Sequence, residues 1–187
     1  ENLLLNARPI NEGLALVYAE LQNKACTGIG ISFGAGMVNL CYAMYGAPIF
    51  QFSLVNSGDW IDKMAAKATG ETPAFINREK MKLDLNAEST SLVQNAVKAQ
   101  YEIMVQKTVT GIKKGIEDAG NKIRSDHPID IVISGGTSSP PGFDNLFAKT
   151  LRAAKLPIEV GTVIRPKDPL YSVARGCLLA AEAADQG

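Results

Sequence analysis

A chain of 187 residues, 46% hydrophobic and 20% charged, is long enough to bury a sizeable core and too apolar for a disordered polymer. Its 19 Lys and Arg balance 19 Asp and Glu, so bulk charge offers nothing to a nucleic acid or an anionic membrane. Cys26, Cys41 and Cys177 are odd in number and lie inside apolar runs, the usage of buried reduced thiols rather than of a disulfide framework or metal site. The one histidine, His127, stands beside Pro128 in a polar loop and leaves little material for a Ser-His or Cys-His catalytic pair. No signal peptide and no transmembrane segment is read in the sequence, so a cytoplasmic location is expected. The chain starts at Glu1 rather than methionine and is expected to be a piece of something longer.

In chain order, Leu14, Val17, Tyr18 and Leu21 recur at helical spacing after Pro9, which predicts a helix over Asn11 to Lys24. Three strands follow, at about Cys26 to Phe33, Met37 to Met44 and Pro48 to Val55, forming an antiparallel meander. The first two are joined by the turn Ser32 to Gly36, where closely spaced glycines are expected to bend the backbone with positive φ. Such a turn is either a tight hairpin or an anion cradle of bare N–H groups, and on its own it does not decide between them. Ser57-Gly58-Asp59 predicts a cap for a helix from Trp60 to Ala68, Gly70 to Pro73 breaks the pattern, and a second helix is expected over Ala74 to Leu85. After the polar stretch Asn86 to Ser91, Val93, Val97, Tyr101, Val105, Val109, Ile112 and Ile116 lie on one stripe of a long helix that ends near Gly120.

The last third alternates: a strand from Ile129 to Ser134 ended by Gly135-Gly136, a helix from Gly142 to Ala154, a strand from Ile158 to Val163, and a helix of small residues from Pro169 to Ala184. Setting the helical stretch at about 71–126 aside as an insertion, the order predicts a ribonuclease H-like α/β fold. That fold is a five-stranded mixed sheet with helices on both faces. Two glycine-rich turns, at Ser32 to Gly36 and at Ser134 to Ser139, then project from one sheet, where ligands of open α/β sheets collect. A ligand with two ends, such as a nucleotide, would suit that pair.

Six segments in order resemble the actin and seventy-kilodalton heat-shock chaperone superfamily. The run from Ile31, I-S-F-G-A-G-M-V-N-L, resembles its second phosphate-binding loop; that from Ile131, I-V-I-S-G-G-T-S-S-P-P-G-F, resembles its adenosine motif. D-P-L-Y-S-V-A-R-G-C-L-L-A-A-E from Asp168 and I-N-E-G-L-A-L from Ile10 are similar to its two connecting helices. N-S-G-D-W-I-D from Asn56 is similar to the opening of the helix that follows the meander, and R-E-K-M-K-L-D-L from Arg78 resembles the stretch that leans over the adenosine. The match covers the second half of that fold, so the chain resembles domain II of a bacterial actin-like protein of the rod-shape (MreB-type) branch. A domain I supplying the other wall of the cleft is the expected missing partner.

The resemblance implies roles. Gly34, Ala35, Gly36 and Met37, with Ser32 before them, fall on the loop that would hold the phosphates of ATP. Gly135, Gly136, Thr137 and Ser138 fall under adenine and ribose, Glu79 and Lys82 would contact the nucleoside from the insertion, and Gly58 falls in the adenosine-side set. Glu12 falls where the family keeps the group that orients the attacking water in phosphoryl transfer. Ser32 stands where the family has the aspartate that holds Mg2+ through water, Met37 where a hydroxyl is usual and Asn39 where an acid is usual. A hydroxyl is a poor substitute for a carboxylate toward so strongly hydrated a cation, so slow or degenerate hydrolysis is expected while binding survives. The resemblance thus implies an ATP-binding half of a cytoskeletal or scaffold ATPase that forms a homo-oligomer or filament. A non-enzymatic interaction scaffold of the same fold is the alternative.

Overall fold

The structure, a computed structural model, describes residues 7–123, 127–169 and 171–185. The final residues of the expected insertion, 124–126, and Leu170 in the expected last helix lie outside them. Helix α1 covers Glu12–Glu20 and is followed by strands β1 (Gly28–Phe33), β2 (Val38–Met44) and β3 (Ala47–Leu54). Helices α2 (Gly58–Thr69), α3 (Pro73–Lys80) and α4 (Leu92–Ala119) come next, then β4 (Ile129–Ser134), α5 (Phe143–Ala154), β5 (Val160–Ile164) and α6 (Ser172–Asp185).

The five strands form one sheet in the order β3-β2-β1-β4-β5. The meander strands pair antiparallel, and β1, β4 and β5 pair parallel. Strand alternation divides the core. Ile29, Ile31 and Phe33 of β1, Leu40 and Tyr42 of β2 and Ile131 and Ile133 of β4 bury one face under α4 and α5, where Val105, Val109, Ile112, Phe143 and Phe147 meet them. Cys41, Ala43 and Val132 bury the other face against Leu16 and Val17 of α1 and Leu21 just after it. Six of the seven stripe residues of α4 are fully or nearly fully buried and join the main core, with Val93 packed at its margin. The long apolar stripe is therefore core, and the C-terminal half of α4 belongs to the layer beneath the sheet.

Helix α1 ends at Glu20 rather than Lys24, with Gln22–Lys24 in a 3-10 turn, β1 starts at Gly28 rather than Cys26 and α6 at Ser172 rather than Pro169; at two further boundaries the cause is visible. Helix α3 ends at Lys80 rather than Leu85, because Lys82 and Leu83 close short turns onto Glu79 and Lys80 and the Leu85 N–H leaves the helix to donate to Pro141 O at 2.8 Å. Strand β5 starts at Val160 rather than Ile158. The Asp130 carboxylate accepts the Thr162 N–H at 2.7 Å in place of a ladder carbonyl, and the β4-β5 register shifts between Ile129 and Ile131.

Candidate nucleotide site

The turn after β1 is built by its neighbours rather than by its glycines. Neither Gly34 nor Gly36 has positive φ, contrary to the expectation from the sequence. What bends the turn is an array of donors behind it. The Gly34 carbonyl accepts from Thr137 Oγ1 at 2.8 Å and from the Gly58 N–H at 3.3 Å. The Ala35 carbonyl accepts from the Asp59 N–H at 2.8 Å and from Ser57 Oγ at 2.6 Å. Ser57 therefore does not cap α2 with its side chain; the loop carbonyls take the unsatisfied N–H groups of that helix end instead.

This arrangement fixes the other side of the loop. A trans peptide holds C=O and N–H pointing in opposite directions, and no cis bond occurs among the described residues. With the Gly34 and Ala35 oxygens drawn back onto α2 and Thr137, the N–H groups of Ala35 and Gly36 face outward. Among the described residues these two and the Met37 N–H find no hydrogen-bond acceptor, whereas the Gly34 N–H closes the turn onto Met37 O at 3.0 Å. Outward N–H groups fixed from behind are what an anion cradle requires.

The second glycine turn lies on the same rim. Ser32 of β1 is in register with Ser134 of β4, so both turns leave the sheet side by side. Gly135 has φ +97°, and a Cβ there would sit 2.4 Å from Phe33 O, so only glycine permits the approach. Residues Gly136–Ser138 then form a single 3-10 turn in which Thr137 and Ser138 are buried, Thr137 reaching the first loop and Ser138 Oγ turning back to Gly135 O at 2.8 Å. A Cβ added at Gly36 or Gly136 would meet nothing within 4 Å, and neither residue has positive φ. Open space therefore lies over both turns on the rim they share.

The remaining residues expected in the site fall around this rim. Gly58 stands behind the first loop, where a Cβ would lie 2.6 Å from Thr137 Oγ1. Glu12, in the first turn of α1, accepts from Asn39 Nδ2 at 3.2 Å, and Asn39 Oδ1 accepts from Ser53 Oγ at 2.6 Å. The ladder registers Ser53↔Asn39, Asn39↔Ser32 and Ser32↔Ser134 set four polar residues in a row across the sheet on the α1 side. Glu79, near the end of α3, pairs at 2.8 Å with Lys82 in the turn that follows it. Such an exposed pair contributes little to stability.

The fit for Mg2+ is poor. Ser32 is 5% exposed and brings no charge, and the described residues contain no group of three His, Cys, Asp or Glu able to hold a metal. Glu12 is the carboxylate joined to this polar row, and Asn39 already occupies one of its oxygens.

Three residues that sequence reasoning passed over prove central. Arg165, just beyond β5, donates from Nη2 to Ser138 O at 2.6 Å, from Nη1 to Ser138 Oγ at 3.1 Å and from Nε to Asp144 at 2.6 Å, with its guanidinium 5.5 Å from the Phe143 ring centre. It clamps the 3-10 turn from the sheet's edge. Lys80 and Asp62 form an ion pair at 2.8 Å with side chains 10% and 7% exposed, and Lys80 Nζ also donates to Gly58 O at 3.0 Å. The only signal in the sequence was negative: charged residues inside helices otherwise read as solvent-facing.

A β3-β2-β1-β4-β5 sheet with helices on both faces and two glycine turns at one rim is the actin-like fold. Solved structures agree. EutJ, the ethanolamine utilization protein of Carboxydothermus hydrogenoformans, has a TM-score of 0.59 at 17% identity over 91% of this chain and 54% of its own. MamK solved as a double helical filament has a TM-score of 0.72 at 18% identity over 91% of this chain and 58% of its own. A non-polymerising MamK mutant bound to AMPPNP has a TM-score of 0.67, again at 18% identity, over the same shares of the two chains. At these identities the likeness shows the fold, and the chain spans between 54% and 58% of the length of these proteins. The chain matches no curated protein in sequence. Residues 1–181 match the Volactin family, and the chain belongs to it. None of the described helices is long and apolar enough to cross a membrane.

Proposed function

We propose that this chain is the second domain of a two-domain actin-like subunit, with the helical stretch at about 71–126 as its insertion, and that it forms one wall of an ATP cleft. In this reading the Ala35 and Gly36 N–H groups hold the phosphates, and Gly135, Gly136, Thr137 and Ser138 form the floor under adenosine. Glu79 and Lys82 approach the nucleoside from the end of α3 and the turn that follows it. Glu12, held as an acceptor by Asn39, orients the attacking water. ATP supplies the phosphoryl group, and the missing domain I supplies the opposite wall. The subunit works in the cytoplasm and assembles into filaments, a reading supported by a MamK relative that forms a double helical filament and another solved with AMPPNP.

The observation that carries the proposal is the pair of loop carbonyls, Gly34 and Ala35, each bonded twice from behind so that their peptide N–H groups face outward. Titrating labelled ATP against the intact natural protein with magnesium tests it. Saturable binding is expected, and none at millimolar nucleotide would refute it. A second reading, a non-enzymatic interaction scaffold, is favoured by one residue: Ser32 in place of a carboxylate. Ser32→Asp separates the two, since turnover rises if the chain is a weakened ATPase and stays at zero if the fold serves docking alone.

A further inference from the structure

Lys80 and Asp62 are buried charges that the nucleotide reading does not use. A buried ion pair is weak evidence for stability, because desolvation offsets the attraction, so its presence here calls for another account. Both polar partners of Asp62 come from α3: the Lys80 ammonium ion-pairs with Oδ1 at 2.8 Å, and Oδ2 accepts from Asn77 Nδ2 at 2.9 Å. The ammonium reaches further, to Gly58 O at 3.0 Å. That oxygen belongs to the peptide joining Gly58 and Asp59, and the N–H of the same peptide donates to Ala35 O at 2.8 Å. The Ala35 carbonyl in turn shares its peptide with the Gly36 N–H. Two peptide units therefore run head to tail from a buried positive charge to an outward N–H on the phosphate loop. Hydrogen bonds in such a chain polarise one another, and a charge at the head strengthens the donor at the tail.

We propose that Lys80 is a positioning residue for the phosphate loop: anchored by Asp62, it orients and polarises the Gly36 N–H through the Gly58-Asp59 peptide, and thereby couples the seating of α3 to anion binding on the loop. The inference rests on the nucleotide reading above. Reciprocity follows from linkage, so a phosphate group on the loop must hold α3 more firmly by the same factor that α3 improves phosphate binding.

The test uses the intact natural protein with ATP and with adenosine, which lacks the phosphates. Lys80→Met keeps the stem and removes the charge. It is expected to weaken ATP by about tenfold, within the ~5–150-fold range usual for coupled sites, while adenosine affinity changes by less than about twofold. In the unmutated protein, ATP is expected to slow amide exchange at residues 76–81 of α3 and its end more than adenosine does, since the Glu79 contact with the nucleoside is common to both ligands and the link through Lys80 is not. A Lys80 that is merely a brace would lower the melting temperature and weaken both ligands alike, and that result overturns the coupling while leaving nucleotide binding intact. If Lys80→Met does not fold, the exchange measurement decides alone: equal effects of ATP and adenosine on α3 refute the proposal. Failure of the unmutated protein to bind ATP removes both readings together.

Discussion

Gly36→Ala separates the site from the fold. At Gly36 the backbone has no positive φ, and an added methyl meets nothing within 4 Å, so the folded chain has no reason of its own to require glycine. Replacing glycine by alanine at such a position stabilises by roughly 0.4–1 kcal/mol, chiefly by restricting the unfolded chain. For a chain of this length that corresponds to a melting temperature higher by roughly 1–4 °C. The methyl would nevertheless project from the loop whose N–H groups face outward, where a phosphate must come within hydrogen-bond distance. ATP affinity is expected to fall by about tenfold or more, equivalent to at least ~1.4 kcal/mol. Thermal denaturation monitored by circular dichroism, with nucleotide titration on the same sample, reads both quantities. A stabilised variant that binds ATP as well as the parent would refute the placement of the phosphates over Gly36. A destabilised one would refute the claim that the space is open.

Thr137→Val removes the 2.8 Å bond to Gly34 O and leaves that oxygen with the Gly58 N–H alone; stability should fall by about 1 kcal/mol, and ATP binding should weaken with it in equilibrium titration. Arg165→Lys cannot reproduce the fork on Ser138, so adenosine binding is expected to weaken severalfold while inorganic phosphate binding at the first loop is unchanged, as competition titrations would show. Tyr42 is fully buried, its hydroxyl finds no partner among the described residues, and burial pushes its pKa up to about 12 from 10. The protonated phenol is then the favoured folded form, so this contribution is intact below pH 10 and is lost as pH rises from 10 toward 12. Burial also pushes up the Cys41 thiol and the Tyr101 phenol, so urea unfolding across that range should show a decline to which all three contribute, and Tyr42→Phe should remove a part on the order of 2 kcal/mol.

Much of the fold is written in periodicity. The β-branched run Ile129 to Ser134 can be satisfied only by a strand buried on both faces, and it is one to the residue. The stripe of α4 likewise gives its burial directly. The ends of α3 and β5 were not legible, because each is set by a distant partner, Pro141 for Leu85 and Asp130 for Thr162, that local pattern does not contain. The two glycine turns were legible as turns and as neighbours. What bends the first was not: the donors behind Gly34 and Ala35 come from residues 57–59 and 137, which lie more than 20 and about 100 positions away in the chain. Lys80 and Asp62 were invisible for a related reason, since each alone reads as a surface charge and only the α2-α3 packing makes them partners.

This division bears on how the side chains around the loop can drift while the cradle remains. Ser32 replaces a carboxylate and Met37 a hydroxyl of the pattern the loop resembles, and Met37 is half exposed with no hydrogen bond of its side chain to lose. Neither residue's side chain supports the peptide orientation, which depends on Thr137, Ser57 and the first turn of α2. In the proposed reading, substitution at Ser32 or Met37 therefore alters what would assist at the phosphates without moving the N–H groups that would meet them. Substitution at Thr137 or Gly58 acts from behind and moves the N–H groups themselves. On the proposed function, loss of catalytic assistance and loss of binding would thus be separable, because the first would depend on side chains in front of the loop and the second on the hydrogen bonds behind it.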